Sequence, residues 1–189
     1  MTNLGALGGI ESLAWAINNR SQVAGEFTFV DPSGSGISHA FLWEDGVMQD
    51  LGTVPGDQGS IAYAIDDQGR VVGGSGSGFI DAFGTAHAFL WQNGSITDLN
   101  TAIPANAGLQ LIVAFGINAR GQIVACGVEV DTSNVHAILL TPRRGGGVTR
   151  MQEETNTRPH VTLSPNARRL LRLATPGRLK SGRVTGNGD

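Results

Sequence analysis

Three histidines recur along the chain at nearly equal intervals. His39 and His87 lie 48 residues apart, and His136 follows 49 residues later. Imidazole is the commonest side-chain ligand for metals such as zinc and copper, so three of them around one axis would suit a metal centre. Each histidine, however, begins the same short phrase, H-A-F-L-W twice and H-A-I-L-L once. A position repeated in this way is typical of a recurring structural hydrogen bond. We therefore predict that each histidine bonds one repeat to its neighbour and that none binds a metal.

Carboxylates and the single cysteine are the next candidates for chemistry. Asp66 occupies the position that Asn18 and Asn118 fill in two other copies of the same phrase. Asp and Asn at such a position bond to the nearby backbone and end a strand in a turn. Residues that recur in three copies are poor catalytic candidates, because one active site normally breaks the symmetry of its scaffold. Cys126 lies in an apolar run, where we expect a small buried hydrophobe. We therefore predict no catalytic residue and no cofactor.

Two stretches rich in glycine and serine precede the first two histidines. The first contains Ser33 and Ser35, and the second contains Ser75, Ser77 and Asp81. The run G-S-G-S-G in the second lacks the lysine of a phosphate-binding loop, and no helix pattern follows it. Repeat proteins commonly bind ligands on loops that leave one edge of the array. A ligand face, where the chain has one, is therefore predicted on these inserts.

The aromatic residues allow two interpretations. Trp43 and Trp91 end the same repeated strand, whereas Trp15 aligns with Tyr63 and Phe115. Such rings could form sugar-stacking platforms. Aromatic residues that recur in register are, however, mostly buried between sheets, where each contributes about 2 kcal/mol or more. We predict core positions for all five and keep a carbohydrate-binding surface as the alternative.

The residues considered so far belong to one unit that occurs three times. The units span about 5–52, 53–100 and 101–142. Asp45-Gly46 and Asn93-Gly94 are strong signals for tight hairpins within them. Four short antiparallel strands in about 48 residues are the size of a propeller blade. We therefore predict an all-β domain of propeller-like blades, with a β-trefoil or a β-prism as the alternative.

These repeated phrases resemble a known family. H-A-F-L-W, M-Q-D-L-G, A-I-N-N-R-S-Q-V-A-G and the opening L-G-A-L-G-G are similar to the HAF repeat of probable extracellular repeat proteins of bacteria, over residues 1–142. The resemblance implies a secreted or surface-associated protein. Members of the family typically carry more than three repeats and an export signal, and we expect no signal peptide among residues 1–189. The expected function is a non-enzymatic binding or structural scaffold of unknown ligand. A lectin-like domain is the second interpretation, and an enzyme with a site on a central axis is the third.

Composition divides the chain at Pro142. All eleven aromatic residues and a net charge of −10 lie up to this residue, whereas residues 143–189 carry a net charge of +7. This basic tail has little with which to build a core, so we predict that it is mostly disordered. Ser164-Pro165 would start a short helix over 165–174. Nucleic acid could bind only through this tail and is not favoured there, because no aromatic residue is available to stack on bases.

Two further expectations concern closure and assembly. The third unit lacks its own M-x-D-L strand and the chain opens with a spare M-T-N-L-G, so we predict that residues 1–5 form a strand beside 136–140. Three blades are fewer than the four to eight of ordinary propellers. Either two chains form a six-bladed homodimeric ring, or the three units belong to a longer array. No apolar run approaches the length of a membrane-spanning helix, so we predict no membrane span.

Overall fold

The protein is all-β, as predicted. A computed structural model describes residues 1–77, 86–142 and the backbone of 151–153. In this part of the chain twelve strands form three antiparallel sheets of four strands each. The sheets belong to one compact unit, Met1–Glu154. No helix among the described residues is long and apolar enough to cross a membrane.

Each sheet is a meander in which strands that are neighbours in sequence pair side by side. Sheet 1 consists of β1 (Glu11–Ile17), β2 (Val23–Val30), β3 (Gly36–Glu44) and β4 (Val47–Gly52). Sheet 2 consists of β5 (Gly59–Ile65), β6 (Val71–Gly76), β7 (His87–Gln92) and β8 (Ser95–Asp98), which leads into a short 3-10 helix (Leu99–Ala102). Sheet 3 consists of β9 (Leu109–Ile117), β10 (Ile123–Glu129), β11 (Val135–Pro142) and β12 (Met151–Glu153). Each sequence repeat thus forms one sheet, except that strand β12 of sheet 3 lies beyond the third repeat.

The predicted tight hairpins join the third and fourth strands of sheets 1 and 2. Asp45 and Gly46 have φ values of 49° and 87°, and Asn93 and Gly94 have φ values of 53° and 78°. Positive φ at both central residues is the mark of the type I′ turn, whose twist matches that of the flanking strands. These turns fix the register of each hairpin and therefore which face every side chain occupies.

Sheet 2 is buried on both faces, which explains why the phrase H-A-F-L-W lacks polar alternation. Phe89 and Trp91 pack in a cluster with Leu42 of sheet 1. Ala88 and Leu90 point the other way along the same pleat and pack in a second cluster with residues of sheet 3. We call the face of a sheet that looks toward the next sheet in the chain its forward face, and the opposite face its backward face. The core consists of forward faces packed on backward faces.

The prediction that residues 1–5 supply the fourth strand of sheet 3 is wrong. Strand β12 occupies that place, with Glu153 opposite Leu140 in the register. Residues 1–5 form no strand, and Leu4 packs instead against the cluster of Val23, Phe27 and Phe41 on the backward face of sheet 1. The sequence did contain the signal, because M-Q-E at β12 echoes M-Q-D in β4, but this signal lies beyond the predicted boundary at Pro142. The sheet domain therefore extends past that boundary.

Several predictions fall outside the described residues. The insert residue Asp81 lies in 78–85, and the predicted helix lies at 165–174. The predictions of a disordered tail and of its possible partners also concern residues outside the described part, apart from β12.

Candidate functional site

His39 lies at the joint between sheets 1 and 2. Its Nδ1 is 2.9 Å from Oδ2 of Asp50 on β4, and its Nε2 is 3.3 Å from the carbonyl oxygen of Gln58, which directly precedes β5. The hydrogen bond to Asp50 raises the pKa of His39 and outweighs the opposing effect of burial. Burial acts against ionisation of Asp50 as well, but hydrogen bonds from His39 and from the Gly52 N–H lower the pKa of Asp50. Both ring nitrogens face acceptors, which suits an imidazolium that donates twice and does not suit a general base.

His87 holds the same joint from the side of sheet 2. Its Nδ1 is 2.9 Å from Oδ2 of Asp57, whose side chain is buried. Asp57 and Gln58 both belong to the linker 53–58 between β4 and β5. His39 and His87 therefore fasten one linker to the two sheets that it joins.

His136 makes a more local contact. Its Nε2 is 3.0 Å from Oε1 of Glu129, which lies in the same β10–β11 hairpin, and both side chains are largely exposed. The three histidines thus use three different carboxylates and do not converge. Across residues 1–77 and 86–142 no group of three or more His, Cys, Asp or Glu side chains could hold a metal ion. Burial raises the pKa of the Cys126 thiol, which disfavours the reactive thiolate.

The turns between the first and second strands share one polar device. The side-chain oxygens of Asn18, Asp66 and Asn118 each accept hydrogen bonds from the backbone N–H groups two and four positions later, at 2.9 to 3.1 Å. This is the side-chain capping that the sequence predicted for these positions. The residue three positions along has positive φ in every case: 61° at Ser21, 77° at Gly69 and 76° at Gly121.

These turns also bond to one another across the sheets. Asn18 Nδ2 donates to the carbonyl oxygen of Asp66 at 2.8 Å, and Arg70 Nη2 donates to the carbonyl oxygen of Asn118 at 3.4 Å. Asn19 donates to the carboxylate of Asp67 through both its backbone and its side chain, which lowers the pKa of Asp67. We call this series of contacts the turn ladder. It joins equivalent turns of successive repeats.

Arg70 explains why the middle turn contains Asp where the others contain Asn. Arg70 Nε donates to Oδ2 of Asp66 at 2.7 Å while its Nη2 reaches the next turn. Asp66 is buried, and a buried carboxylate needs a paired cation. The departure from the repeat pattern therefore comes from a structural ion pair between two residues of one turn.

The first Gly/Ser-rich stretch is the tip of a hairpin. Ser33 and Ser35 are exposed in the turn between β2 and β3, and their backbone N–H groups donate to Oδ1 of Asp31 at 2.9 and 2.8 Å. The hydroxyl of Ser33 also donates to this oxygen, and these bonds lower the pKa of Asp31. The serine groups are thus occupied in shaping the turn.

The second stretch corrects a prediction. The prediction that Ser75 lies on a ligand-facing insert is wrong, because Ser75 is fully buried within β6. Its hydroxyl accepts a hydrogen bond from the Val54 N–H at 3.0 Å and donates to the Gly59 carbonyl oxygen at 3.2 Å. The strand continues through the glycines because it lies in the middle of a sheet that is covered on both faces. Ser77, just past the end of β6, is exposed.

An aromatic row crosses the first strands of the three sheets. The ring centroid of Tyr63 on β5 lies 6.2 Å from that of Trp15 on β1 and 5.4 Å from that of Phe115 on β9. The predicted core position is wrong for the two ends of this row, because Trp15 is 52% exposed and Phe115 is 55% exposed. Trp91 is buried between sheets 1 and 2, and Trp43 is half-buried on the backward face of sheet 1. The row is thus an apolar surface along the first strand of each sheet.

Each member of the aromatic row occupies a β-bulge. Trp15, Tyr63 and Phe115 are all skipped where the register between the first and second strands shifts. A bulge adds one unpaired residue and re-aims its side chain. Glycine on the second strand permits the bulge in sheets 1 and 2, since a Cβ at Gly25 or at Gly73 would lie 2.0 or 1.9 Å from a carbonyl oxygen. The sequence signal for the bulge is the glycine that ends Q-V-A-G and R-V-V-G.

Comparisons with family models, with curated proteins and with solved structures give no match to this chain. Two features of the chain's own geometry bear on function: polar side chains that bond repeat to repeat, and an exposed row of aromatic rings.

Proposed function

We propose that this chain is a propeller-like repeat module without catalytic activity, which acts as a binding or structural scaffold. The resemblance to the HAF repeat adds an extracellular or cell-surface setting to the proposal. The turn ladder is the observation that carries it. Asn18, Asp66 and Asn118 occupy the positions where polar groups are concentrated in every repeat, and all three bond within the chain. Polar groups that are bonded in this way hold the sheets together and are not free to act as an acid or a base.

The histidine contacts support the same function. His39 and His87 clamp the linker between sheets 1 and 2, and His136 closes a hairpin. An enzyme with a site on the central axis would need polar groups that converge at the first strands. The first strands carry the aromatic row instead, which favours a scaffold over that third interpretation.

The packing order supports a propeller-like arrangement over a β-trefoil or β-prism. Each unit is a four-stranded meander, and the forward face of one packs on the backward face of the next. The first strands adjoin one another through the aromatic row. Radial repetition of four-stranded sheets with the first strand innermost is the defining arrangement of propellers.

Substitution of His87 or of His136 by glutamine tests the proposed function. His87→Gln leaves the buried Asp57 without its partner, so we expect it to lower the free energy of unfolding by about 1–3 kcal/mol. His136→Gln affects an exposed pair and should change it by less than about 0.5 kcal/mol. Stability is measured by urea unfolding, and turnover is measured with chromogenic ester, glycoside and phosphomonoester substrates. We expect no turnover, and an activity that His87→Gln or His136→Gln abolishes without loss of stability would refute the scaffold.

A carbohydrate-binding module is the second candidate, and the exposed aromatic row favours it. Trp15 and Phe115 offer apolar ring faces to solvent, which can stack on the apolar face of a sugar. Affinity electrophoresis in gels that contain soluble glucan, xylan or chitosan tests this function. Trp15→Ala should abolish retardation, whereas Val47→Ala, at an exposed valine on β4, should preserve it. A wild-type protein that none of these polysaccharides retards would refute the lectin-like function.

A further inference from the structure

Inter-sheet packing uses the same positions twice within the chain. Leu42 of sheet 1 is buried on the forward face against sheet 2, and Leu90 is buried in the same way against sheet 3, with 6% and 8% of their surfaces exposed. Ala40 and Ala88, two residues before them, are fully buried in the same two clusters. The forward face is therefore a repeated apolar surface that receives the next sheet.

Sheet 3 has the same forward face, but it is open. Leu139, the equivalent of Leu90, is 43% exposed, and its cross-strand partner Val124 is 50% exposed. Ala137 beside them is exposed as well. Val72, which is the equivalent of Val124 in sheet 2, is fully buried. Among the described residues, none takes the place on sheet 3 that sheet 3 itself takes on sheet 2.

The other end of the array is open along its first strand. Ile17 on β1 is 69% exposed, whereas its equivalent Ile65 in sheet 2 is 9% exposed. Ala14 is likewise exposed, although its equivalent Ala62 is fully buried. Leu4 packs against the part of this backward face that β2 and β3 form. The uncovered part is therefore the strand that adjoins the aromatic row.

Both open surfaces are unusual for the ends of a repeat array. Terminal repeats normally carry a polar outer face, which keeps the array soluble. Here the outermost positions keep the alanine, valine, leucine and isoleucine of the interior positions. Exposed apolar surface of this kind marks a protein–protein contact.

We propose that the forward face of sheet 3 binds strand β1 of a second copy of this chain, and that two copies close head to tail into one ring of six sheets. The inference rests on the proposed function, because it treats the sheets as propeller-like units. A ring of six lies within the four to eight blades of ordinary propellers. In this ring the two aromatic rows lie on the inner strands, and every forward face is covered.

The second copy is the favoured occupant because the contact already exists twice inside one chain. At each internal joint the forward face meets an alanine and an isoleucine of the next first strand, Ala62 and Ile65 at the first joint. Sheet 1 of another copy offers Ala14 and Ile17 at the same positions. A head-to-tail contact repeated by a twofold axis closes after two copies and leaves neither surface open. Self-pairing of two forward faces would leave β1 exposed.

Sedimentation equilibrium of the full chain tests the ring. We expect a concentration-dependent mass that reaches twice 19.7 kDa in the micromolar range. Leu139→Asp and Ile17→Asp each place a carboxylate in the proposed contact and should weaken association by at least about 100-fold. Val47→Asp is the matched control, since Val47 is exposed on β4 outside both surfaces. It should leave the dimer intact.

Mixing the two variants distinguishes a head-to-tail contact from other dimers. A mixture of Leu139→Asp and Ile17→Asp chains retains one unaltered contact, between Leu139 of one chain and Ile17 of the other. We expect the mixture to regain a dimer that neither variant forms alone. Both substituted positions are exposed in the single chain, so each variant should unfold at the same midpoint as the monomeric wild-type chain. If Leu139→Asp fails to fold, Val124→Asp replaces it.

Three outcomes would overturn the ring. A wild-type chain that stays monomeric at every concentration excludes a second copy as the occupant of the forward face of sheet 3. A monomer is also the outcome if the basic tail occupies that face. Loss of dimer in Leu139→Asp but not in Ile17→Asp would establish self-pairing of forward faces. Masses that keep growing beyond two copies would establish an open filament. A monomer whose histidine variants still show the stability pattern described above would overturn the ring alone and leave the proposed function standing.

Discussion

Replacement of Gly73 by alanine should be strongly destabilising, because the added methyl group has no room between β5 and β6. A Cβ at this position would stand 1.9 Å from the carbonyl oxygen of Ile61 and 2.8 Å from Cε1 of Phe89. Real Cβ atoms essentially never come closer than 3.0 Å to such neighbours, so the two backbones must separate by about 1 Å. Separation is opposed from both sides, since Tyr63 forms the bulge on β5 and Phe89 is fully buried.

The cost follows from two contributions. Overpacking of a closed site costs about 1–3 kcal/mol. Separation of β5 from β6 also weakens the ladder hydrogen bonds around the Ala62–Gly73 pair, each worth about 0.5–1.5 kcal/mol. We therefore expect Gly73→Ala to lower the free energy of unfolding by about 2–4 kcal/mol, which corresponds to a fall of about 5–15 °C in the unfolding midpoint of a domain of this size.

Urea and thermal unfolding followed by circular dichroism measure this change. Gly36→Ala is the matched control, because Gly36 also lies in a strand but its added Cβ would meet only Thr28 Cγ2, at an ordinary 3.5 Å. That substitution should be neutral, or stabilising by up to about 1 kcal/mol because alanine reduces the conformational entropy of the unfolded chain. Equal stabilities of the two variants would show that β5 does not approach β6 as closely as the bulge requires, and that the bulge does not place Tyr63 in the aromatic row.

Three other changes have defined outcomes. Ser21→Gly should stabilise the protein by about 0.5–1 kcal/mol in urea unfolding, because Ser21 holds a φ of 61° that glycine adopts without strain. Leu90→Ala should cost about 2–5 kcal/mol by thermal unfolding, since it leaves a cavity between sheets 2 and 3. The raised pKa of His39 means that the folded state keeps a proton that the unfolded state loses above about pH 6.5, so stability falls as pH rises through the folded pKa. His39→Gln should flatten that decline, and an unchanged slope in urea unfolding between about pH 6 and 9 would exclude this assignment.

Local chemistry made the turns predictable from sequence. Asp45-Gly46 can form a type I′ turn because both residues tolerate positive φ, and the structure has that turn. Asn18 and Asn118 cap their own backbones, which needs no information from elsewhere in the chain. The contacts between repeats were less accessible, because the bond from Asn18 to Asp66 depends on how two sheets pack.

The exposure of individual positions could not be predicted from the sequence. The alignment of the repeats shows which residues are equivalent, but it does not show whether a neighbouring sheet covers them. Trp15 and Phe115 align with Tyr63, yet within residues 1–77 and 86–142 Tyr63 alone of the three has an aromatic neighbour on each side. The same reasoning misplaced Ser75, since a glycine-rich run resembles a loop in sequence but here allows a covered strand to approach its bulged partner. Repeats at the ends of an array share the sequence of those in the middle without sharing their environment.

The proposed ring of six sheets and the proposed carbohydrate binding both use the exposed surface of Trp15. A single titration can therefore distinguish the two proposals. Trp15 closes one end of the aromatic row, and its Nε1 donates to Glu26 at 3.3 Å, so the indole already has its polar partner and only its apolar surface remains to be covered. In the ring that surface lies inside, whereas a stacked sugar needs it accessible. A polysaccharide that bound the row would therefore bind the single chain and dissociate the dimer by mass action. If added polysaccharide left the dimer mass unchanged while still retarding the protein, its site would lie away from Trp15, and the aromatic row would belong to the assembly.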